Sequence, residues 1–117
     1  MSCASGLATL EVIRDDDLVS RAERLGELMV RELAPIRSHP RVRDIRRFGA
    51  MVAVEFNDSK ASKAVLRSAL ERDVLLITCG FHDQVVRFIP ALNISESDLR
   101  TGTRAVVEAL QPVPTPA

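Results

Sequence analysis

Arg87 is the residue whose sequence neighbours most strongly indicate a need for a charged partner. It lies inside the apolar run VVRFI at residues 85–89, with hydrophobic neighbours on both sides. Removing a guanidinium from water is costly unless a negative group meets it, and its planar fork binds a carboxylate through two parallel hydrogen bonds. The residues alone leave an anionic ligand evenly balanced against two structural alternatives, which are an internal salt bridge and an edge-strand arginine that reaches solvent.

Other residue types that carry chemistry are not arranged as a site. His82 and Asp83 are adjacent, and neighbouring side chains rarely point at the same atom, so no dyad is expected. His39 lies in a basic connector far from any nucleophile, and both histidines are interpreted as surface residues. Cys79 follows an apolar run, but no helix start or basic partner is evident that would activate its thiol. We therefore expect it to be a small, half-buried residue. The sequence also lacks a phosphate loop, a GxGxxG motif and an HExxH motif.

The composition excludes several classes of partner. The 117 residues are enough for one domain, and their net charge of +0 gives no attraction to nucleic-acid phosphates or anionic lipids. Four Phe without Tyr or Trp leave little for stacking on bases. No apolar run approaches the roughly 20 residues of a membrane span, and the first residues show no basic signal region. Two cysteines give no disulfide framework, which indicates a reducing, cytoplasmic setting.

The first third of the chain shows helical periodicity. Apolar residues recur at steps of three or four, and an acidic run at residues 15–17 interrupts them. We expect one helix to end near Arg14 and a second to begin near Asp17, with the acidic run as a solvated corner. Pro35 and Pro40 end the helical region. The apolar stripe comprises Leu7, Leu10 and Ile13, followed by Leu18, Ala22, Leu25, Met29, Leu33 and Ile36.

Residues 37–48 hold five arginines and one aspartate. Such a segment is either a nucleic-acid patch or a solvated connector whose arginines pair with carboxylates elsewhere. The neutral chain and the absence of a recognition motif favour the connector.

The remaining elements predict a small sheet with helices on one face. Residues 48–56 alternate as a strand, residues 59–72 carry a helical stripe, and residues 74–78 and 85–89 form a hairpin around a glycine-containing turn. Ser95 and Asp98 resemble a capping box that begins a last helix ending near Leu110. The prediction is an α+β domain with about three strands and at least one antiparallel pair over residues 1–111, followed by a flexible proline-rich tail at residues 112–117.

Three segments of the sequence resemble a known family when they are taken together in register. They are SCASGLATLEVI at residues 2–13, RRFGAMVAVEF at 46–56 and VLLITCGFHDQVVRFIPALNIS at 74–95. They are similar to the C-terminal small domain of class III aminotransferases, pyridoxal-phosphate (PLP) enzymes of fold type I, and most of all to 4-aminobutyrate aminotransferases. Met1 stands where the family usually has a proline, so the chain is expected to begin inside a family helix.

The resemblance implies a function for Arg87. In the family, the arginine of the last strand motif binds the substrate carboxylate, and that position falls on Arg87. The lysine that forms the Schiff base and the other cofactor-binding groups lie in a large domain that has no counterpart here. Lys60 and Lys63 lie on the helix expected at residues 59–72 and match no cofactor motif.

The resulting expectation is an aminotransferase fragment that supplies one wall of a substrate cleft. We expect it to bind no cofactor, to be inactive alone, and to form a homo-oligomer through apolar surface that the missing domain leaves uncovered. The sequence leaves open whether the chain is an enzyme in its own right. A standalone, non-catalytic module that binds a carboxylate or a protein, and an inert gene remnant, are the alternatives.

Overall fold

Four α-helices and four strands make up the described part of the chain. The computed structural model describes residues 1–111, and the tail expected at residues 112–117 lies outside them. In chain order the elements are α1 (Ser2–Asp15), α2 (Leu18–Glu32), a 3₁₀ turn (Ala34–Ile36), β1 (Val42–Phe48), β2 (Met51–Phe56), α3 (Ser59–Leu70), β3 (Ile77–Cys79), β4 (Val85–Phe88) and α4 (Glu96–Leu110).

The strands form one antiparallel sheet in the order β1-β2-β4-β3. The expected α+β architecture and the β3–β4 hairpin are confirmed. The unit β2-α3-β3 crosses over one strand position, and β4 returns to fill the gap between β2 and β3. This order makes β4 a central strand.

Strand β1 corrects the interpretation of residues 37–48 as a solvated connector. It pairs with β2 along most of its length and adds a fourth strand to the expected three. Ile45 is its one buried residue, so the strand shows no apolar alternation that could reveal it in the sequence. The expected pairing of its arginines is confirmed, since Arg46 meets Glu55 and Arg47 meets Glu23. An edge strand carrying such charges resists pairing with another chain.

One face of the sheet carries the core. Val52, Val54 and Phe56 alternate on β2 and are fully buried, and Val86 and Phe88 continue that face on β4. Helices α2 and α3 pack on it, and α4 packs against both of these helices, because each has an apolar stripe at helical spacing. The helical contribution to this core includes Leu25, Leu28, Met29, Ala61, Val65, Leu99 and Val106.

The ends of the helices follow their local sequence. The expected helix start at Ser95 is confirmed, because its hydroxyl oxygen accepts a hydrogen bond of 3.0 Å from the Asp98 amide. The Asp98 carboxylate accepts from the Ser95 hydroxyl, so the pair forms an N-cap without the reciprocal backbone bond of a capping box. Helix α3 ends at Leu70; Asp73 then adopts a φ of 59°, and the Val74 amide donates back to the Ala69 carbonyl. Because the Val74 amide is bonded to the helix terminus, it is not available for strand pairing. The strand predicted to begin at Val74 therefore begins at Ile77.

Apolar surface is exposed in two places, as expected. Helix α1 has no buried residue, and Leu7 and Leu10 on it are largely exposed. The sheet face opposite the helices also presents apolar side chains, including Phe48 and Ile77. Across residues 1–111, no helix has the length and hydropathy needed to cross a membrane.

Candidate functional site

Arg87 lies in the middle of the sheet. Its register partners are Ala53 on β2 and Ile77 on β3. Strand alternation places its side chain on the face opposite Val86 and Phe88, away from the helices. The structure therefore contradicts the alternative of an arginine on an edge strand.

One hydrogen-bond donor of the Arg87 guanidinium has no acceptor among residues 1–111. Its Nε is buried and has no partner among residues 1–111. None of the ion pairs found in that part of the chain involves Arg87, so the internal salt bridge is not formed there. An unsatisfied buried polar group costs about 1–3 kcal/mol, and more when it is charged. The geometry thus leaves Arg87 ready for an acceptor from outside these residues.

A second arginine in the same cross-strand row, Arg46, is paired with carboxylates, unlike Arg87. The row runs from Arg46 on β1 through Ala53 and Arg87 to Ile77. Nη1 of Arg46 donates to Glu55 at 2.6 Å and to Asp44 at 2.9 Å. The bond to Glu55, followed by that to Asp44, raises the pKa of Arg46. The charge of Arg46 is already compensated within the fold, whereas the charge of Arg87 is not.

An apolar cleft of about 260 Å³ opens beside Arg87. It lies between the chain entering β3, the end of β4 and the first half of α4, and its lining includes Ile77, Phe88, Pro90, Ile94 and Leu99. Arg87 and its register partner Ile77, which share a sheet face, are both among the lining residues, and an apolar lining strengthens an ionic hydrogen bond formed at it. We refer to it below as the Arg87 cleft.

Asp98 is the acidic residue in the lining of the Arg87 cleft within the described chain. Its carboxylate accepts a hydrogen bond of 2.7 Å from the Ser95 hydroxyl at the start of α4. The carboxylate therefore serves the helix terminus, and it forms no ion pair with Arg87 within residues 1–111.

The other candidate residues are not gathered around Arg87. His82 is exposed, as expected, and His39 is half-buried, with Nδ1 accepting from the Arg41 amide at 3.2 Å. Cys79 is half-buried with a free thiol, which matches its interpretation. No group of metal-ligating side chains occurs within the described part of the chain.

Both lysines lie on exposed positions of α3, as predicted. The Nζ of Lys63 is 3.7 Å from an Asp83 carboxylate oxygen. Neither lysine is among the residues that line the Arg87 cleft.

One residue near the site carries no signal in the sequence. Arg21 on α2 donates from Nε to the Leu92 carbonyl at 2.8 Å and from Nη2 to the Ile94 carbonyl at 2.6 Å. Both acceptors are backbone atoms more than seventy residues away. Helical periodicity places Arg21 beside the apolar stripe but says nothing of such partners.

Known structures share this arrangement of elements. The domain superposes with a TM-score of 0.84 on a Bacillus anthracis aminotransferase that is 24% identical, over 92% of this chain and 27% of that one. The comparison shows the fold: a small α+β domain found within larger aminotransferases.

The sequence matches establish the family. The family model described as "Aminotransferase class-III" matches residues 1–110. A 4-aminobutyrate aminotransferase of Mycobacterium leprae is 32% identical over 87% of this chain and 25% of its own length. A 5-aminovalerate aminotransferase of Pseudomonas aeruginosa is 30% identical over 92% of this chain and 28% of its own. The chain belongs to the class III aminotransferase family, and it spans about a quarter of the length of these relatives.

Proposed function

We propose that residues 1–111 are the small domain of a class III aminotransferase and that Arg87 binds the substrate carboxylate. The observation that carries this proposal is the buried Nε of Arg87, which has no partner among the described residues and lies on a central strand beside an apolar cleft. Within the whole enzyme, the domain supplies one wall of the substrate cleft.

The parent reaction in this proposal moves an amino group from an ω-amino acid to 2-oxoglutarate. The relatives named as 4-aminobutyrate and 5-aminovalerate aminotransferases support this substrate class. Both named substrates end in a carboxylate, and 2-oxoglutarate carries two. A guanidinium that binds a carboxylate can therefore hold either the amino donor or the amino acceptor, so it is compatible with both halves of the transfer.

The strand geometry suits Arg87 to binding rather than to proton transfer. An arginine stays protonated in proteins, so it supplies a permanent positive charge and paired donors. Antiparallel neighbours on both sides hold the backbone of Arg87 in place. The small side chain of Ala53 leaves room on the same face. We assign to Arg87 the orientation of the substrate and the compensation of its charge.

The residues present do not fit a PLP site. When bound, PLP supplies an electron sink, for which it needs a lysine partner and an acidic group at the ring nitrogen. Lys60 and Lys63 are exposed, and Lys63 lies beside Asp83. We therefore propose that this chain binds no PLP and has no transaminase activity alone.

A trapping experiment tests this inactivity. The chain is mixed with PLP, reduced with borohydride and digested for mass spectrometry, with the Lys60→Arg and Lys63→Arg variants as controls. Absence of a specific, saturable lysine adduct is the expected result. A stoichiometric adduct on Lys60 or Lys63, with the matching absorbance before reduction, would overturn the proposal of an inactive chain.

Carboxylate binding is tested by calorimetric titration with 2-oxoglutarate. We expect saturable binding that Arg87→Met weakens about 10- to 100-fold, since hydrogen bonds to charged groups contribute about 1.5–3 kcal/mol. Arg43→Met is the matched control, because Arg43 lies on the same sheet with a side chain that is 69% exposed. Equal binding by the wild type and Arg87→Met would refute the carboxylate site, and no binding by any of them would favour an inert remnant.

The exposed apolar faces favour a second function, association with another protein surface. Helix α1 buries none of its residues, and Phe48 on the open sheet face is 84% exposed. Apolar surface of this kind drives association, and we propose a homo-oligomer in the cytoplasm. Light scattering that shows a monomer at high concentration would contradict it.

A further inference from the structure

The loop at residues 89–95 forms part of the wall beside Arg87. It leads from the end of β4 to the start of α4, and Pro90 and Ile94 within it line the Arg87 cleft. Its two ends are fixed by the strand pairing of β4 and by the Ser95 cap of α4. Between these ends, the Ile94 amide donates to the Ala91 carbonyl at 3.1 Å.

Arg21 fastens the middle of this loop to a helix. It donates from two nitrogens to the carbonyl oxygens of Leu92 and Ile94, at 2.8 Å and 2.6 Å. The residue is half-buried on α2, and it takes part in no ion pair found within residues 1–111. Charge-assisted hydrogen bonds are about twice as strong as neutral ones. Two of them from one rigid fork restrain both the position and the orientation of the loop.

We infer that Arg21 is a positioning residue for the carboxylate site, because it holds the loop wall of the Arg87 cleft against helix α2. This inference rests on the proposed role of Arg87. Both hydrogen bonds from Arg21 to the loop end on backbone carbonyls, so in this inference Arg21 acts on the ligand through the lining residues Pro90 and Ile94. A loosened wall leaves a ligand in the Arg87 cleft less constrained.

The expected effect is a loss of affinity without loss of the fold. Arg21→Met should weaken 2-oxoglutarate binding about tenfold, within the range for residues that act through their neighbours. Arg21→Lys keeps the charge and one hydrogen bond but lacks the planar fork, so it should lie between wild type and Arg21→Met. Arg24→Met is the matched control, because Arg24 is exposed on the same helix.

Two measurements on the full chain test the inference. The first is amide hydrogen exchange without ligand: Arg21→Met should speed exchange at Ile94 about tenfold or more and leave the core amide of Val54 unchanged. The second is the calorimetric affinity for 2-oxoglutarate in the wild type, Arg21→Met, Arg21→Lys, Arg24→Met and Arg87→Met. A merely structural role would speed exchange uniformly across the chain, which would overturn the inference.

The two proposals fail in different ways. If the wild type binds 2-oxoglutarate through Arg87 and Arg21→Met binds equally well, the inference about Arg21 is wrong and the carboxylate site stands. If the wild type and Arg87→Met bind alike, the carboxylate site is wrong and the positioning role is lost with it. Weaker binding by Arg21→Met, faster exchange confined to the loop and an unaffected Arg24→Met together support the inference.

Discussion

Replacing Gly26 with alanine tests how closely α2 lies on the β1–β2 hairpin. An ideal Cβ at Gly26 would lie 1.8 Å from the carbonyl oxygen of Gly49, and real Cβ atoms essentially never approach below 3.0 Å. The helix and the turn must therefore separate by at least 1.2 Å, the difference between these two distances. The obstacle is backbone, and Gly49 has a φ of 54° in a two-residue turn, so neither side yields easily.

We expect Gly26→Ala to lower the free energy of unfolding by about 2 kcal/mol. Overpacking in a filled core costs about 3 kcal/mol at the upper end of its usual range, and alanine recovers about 1 kcal/mol through its helix propensity. For a domain of this size, such a loss corresponds to a fall in Tm of about 10 °C.

Urea denaturation followed by circular dichroism provides the assay, and Gly6→Ala is the matched control. Gly6 lies on the exposed helix α1, where an added Cβ meets nothing within 4 Å. That variant should be unchanged or gain up to about 1 kcal/mol from helix propensity. If Gly26→Ala were as stable as the wild type, the close packing of α2 on the hairpin would be refuted.

Two further predictions concern the Asp44 carboxylate and the start of α4. The hydrogen bond from Arg46, aided by the Ile45 amide, lowers the pKa of Asp44. Its stabilising contribution is therefore present above its ordinary pKa and is lost as the pH falls through the lowered value, below about pH 4. NMR titration of the Asp44 carboxyl should show a higher midpoint in Arg46→Met, and identical midpoints would contradict this pairing. Ser95→Ala should cost about 1 kcal/mol in urea denaturation by removing the cap of α4, whereas Ser95→Thr should retain most of it; equal losses in both variants would argue against capping.

Local patterns predicted the elements that bury an apolar face. The alternation of Val52, Val54 and Phe56 identified β2, and the helical spacing of Leu25 and Met29 identified α2. Both patterns are direct consequences of burial on one side of a strand or helix. The family resemblance was likewise confirmed, because the class III aminotransferase family model matches residues 1–110. Its three segments lie on α1, on the hairpin of β1 and β2, and on β3 with β4.

Features set by long-range contacts had no such pattern. Strand β1 buries only Ile45, so it shows no apolar alternation, and its arginines led to its interpretation as a solvated connector. The bonds from Arg21 reach backbone carbonyls, which carry no residue-specific signal. The need for glycine at position 26 arises from a turn that lies more than twenty residues further along the chain. For Arg87, its apolar sequence neighbours indicated that it needs an anionic partner. The strand order then excluded the alternative of an edge-strand arginine, because β4 is a central strand.

The proposed role of Arg87 is to bind a carboxylate through its buried, unpartnered Nε–H. The most direct measurement is the Nε–H resonance of Arg87 in the ¹⁵N-arginine-labelled chain during titration with 2-oxoglutarate, assigned by its loss in Arg87→Lys. We expect a saturable downfield shift of this proton, while the resonance of the exposed Arg43 stays unchanged. A resonance of Arg87 that does not move while 2-oxoglutarate binds, or that moves no more than that of Arg43, would contradict it.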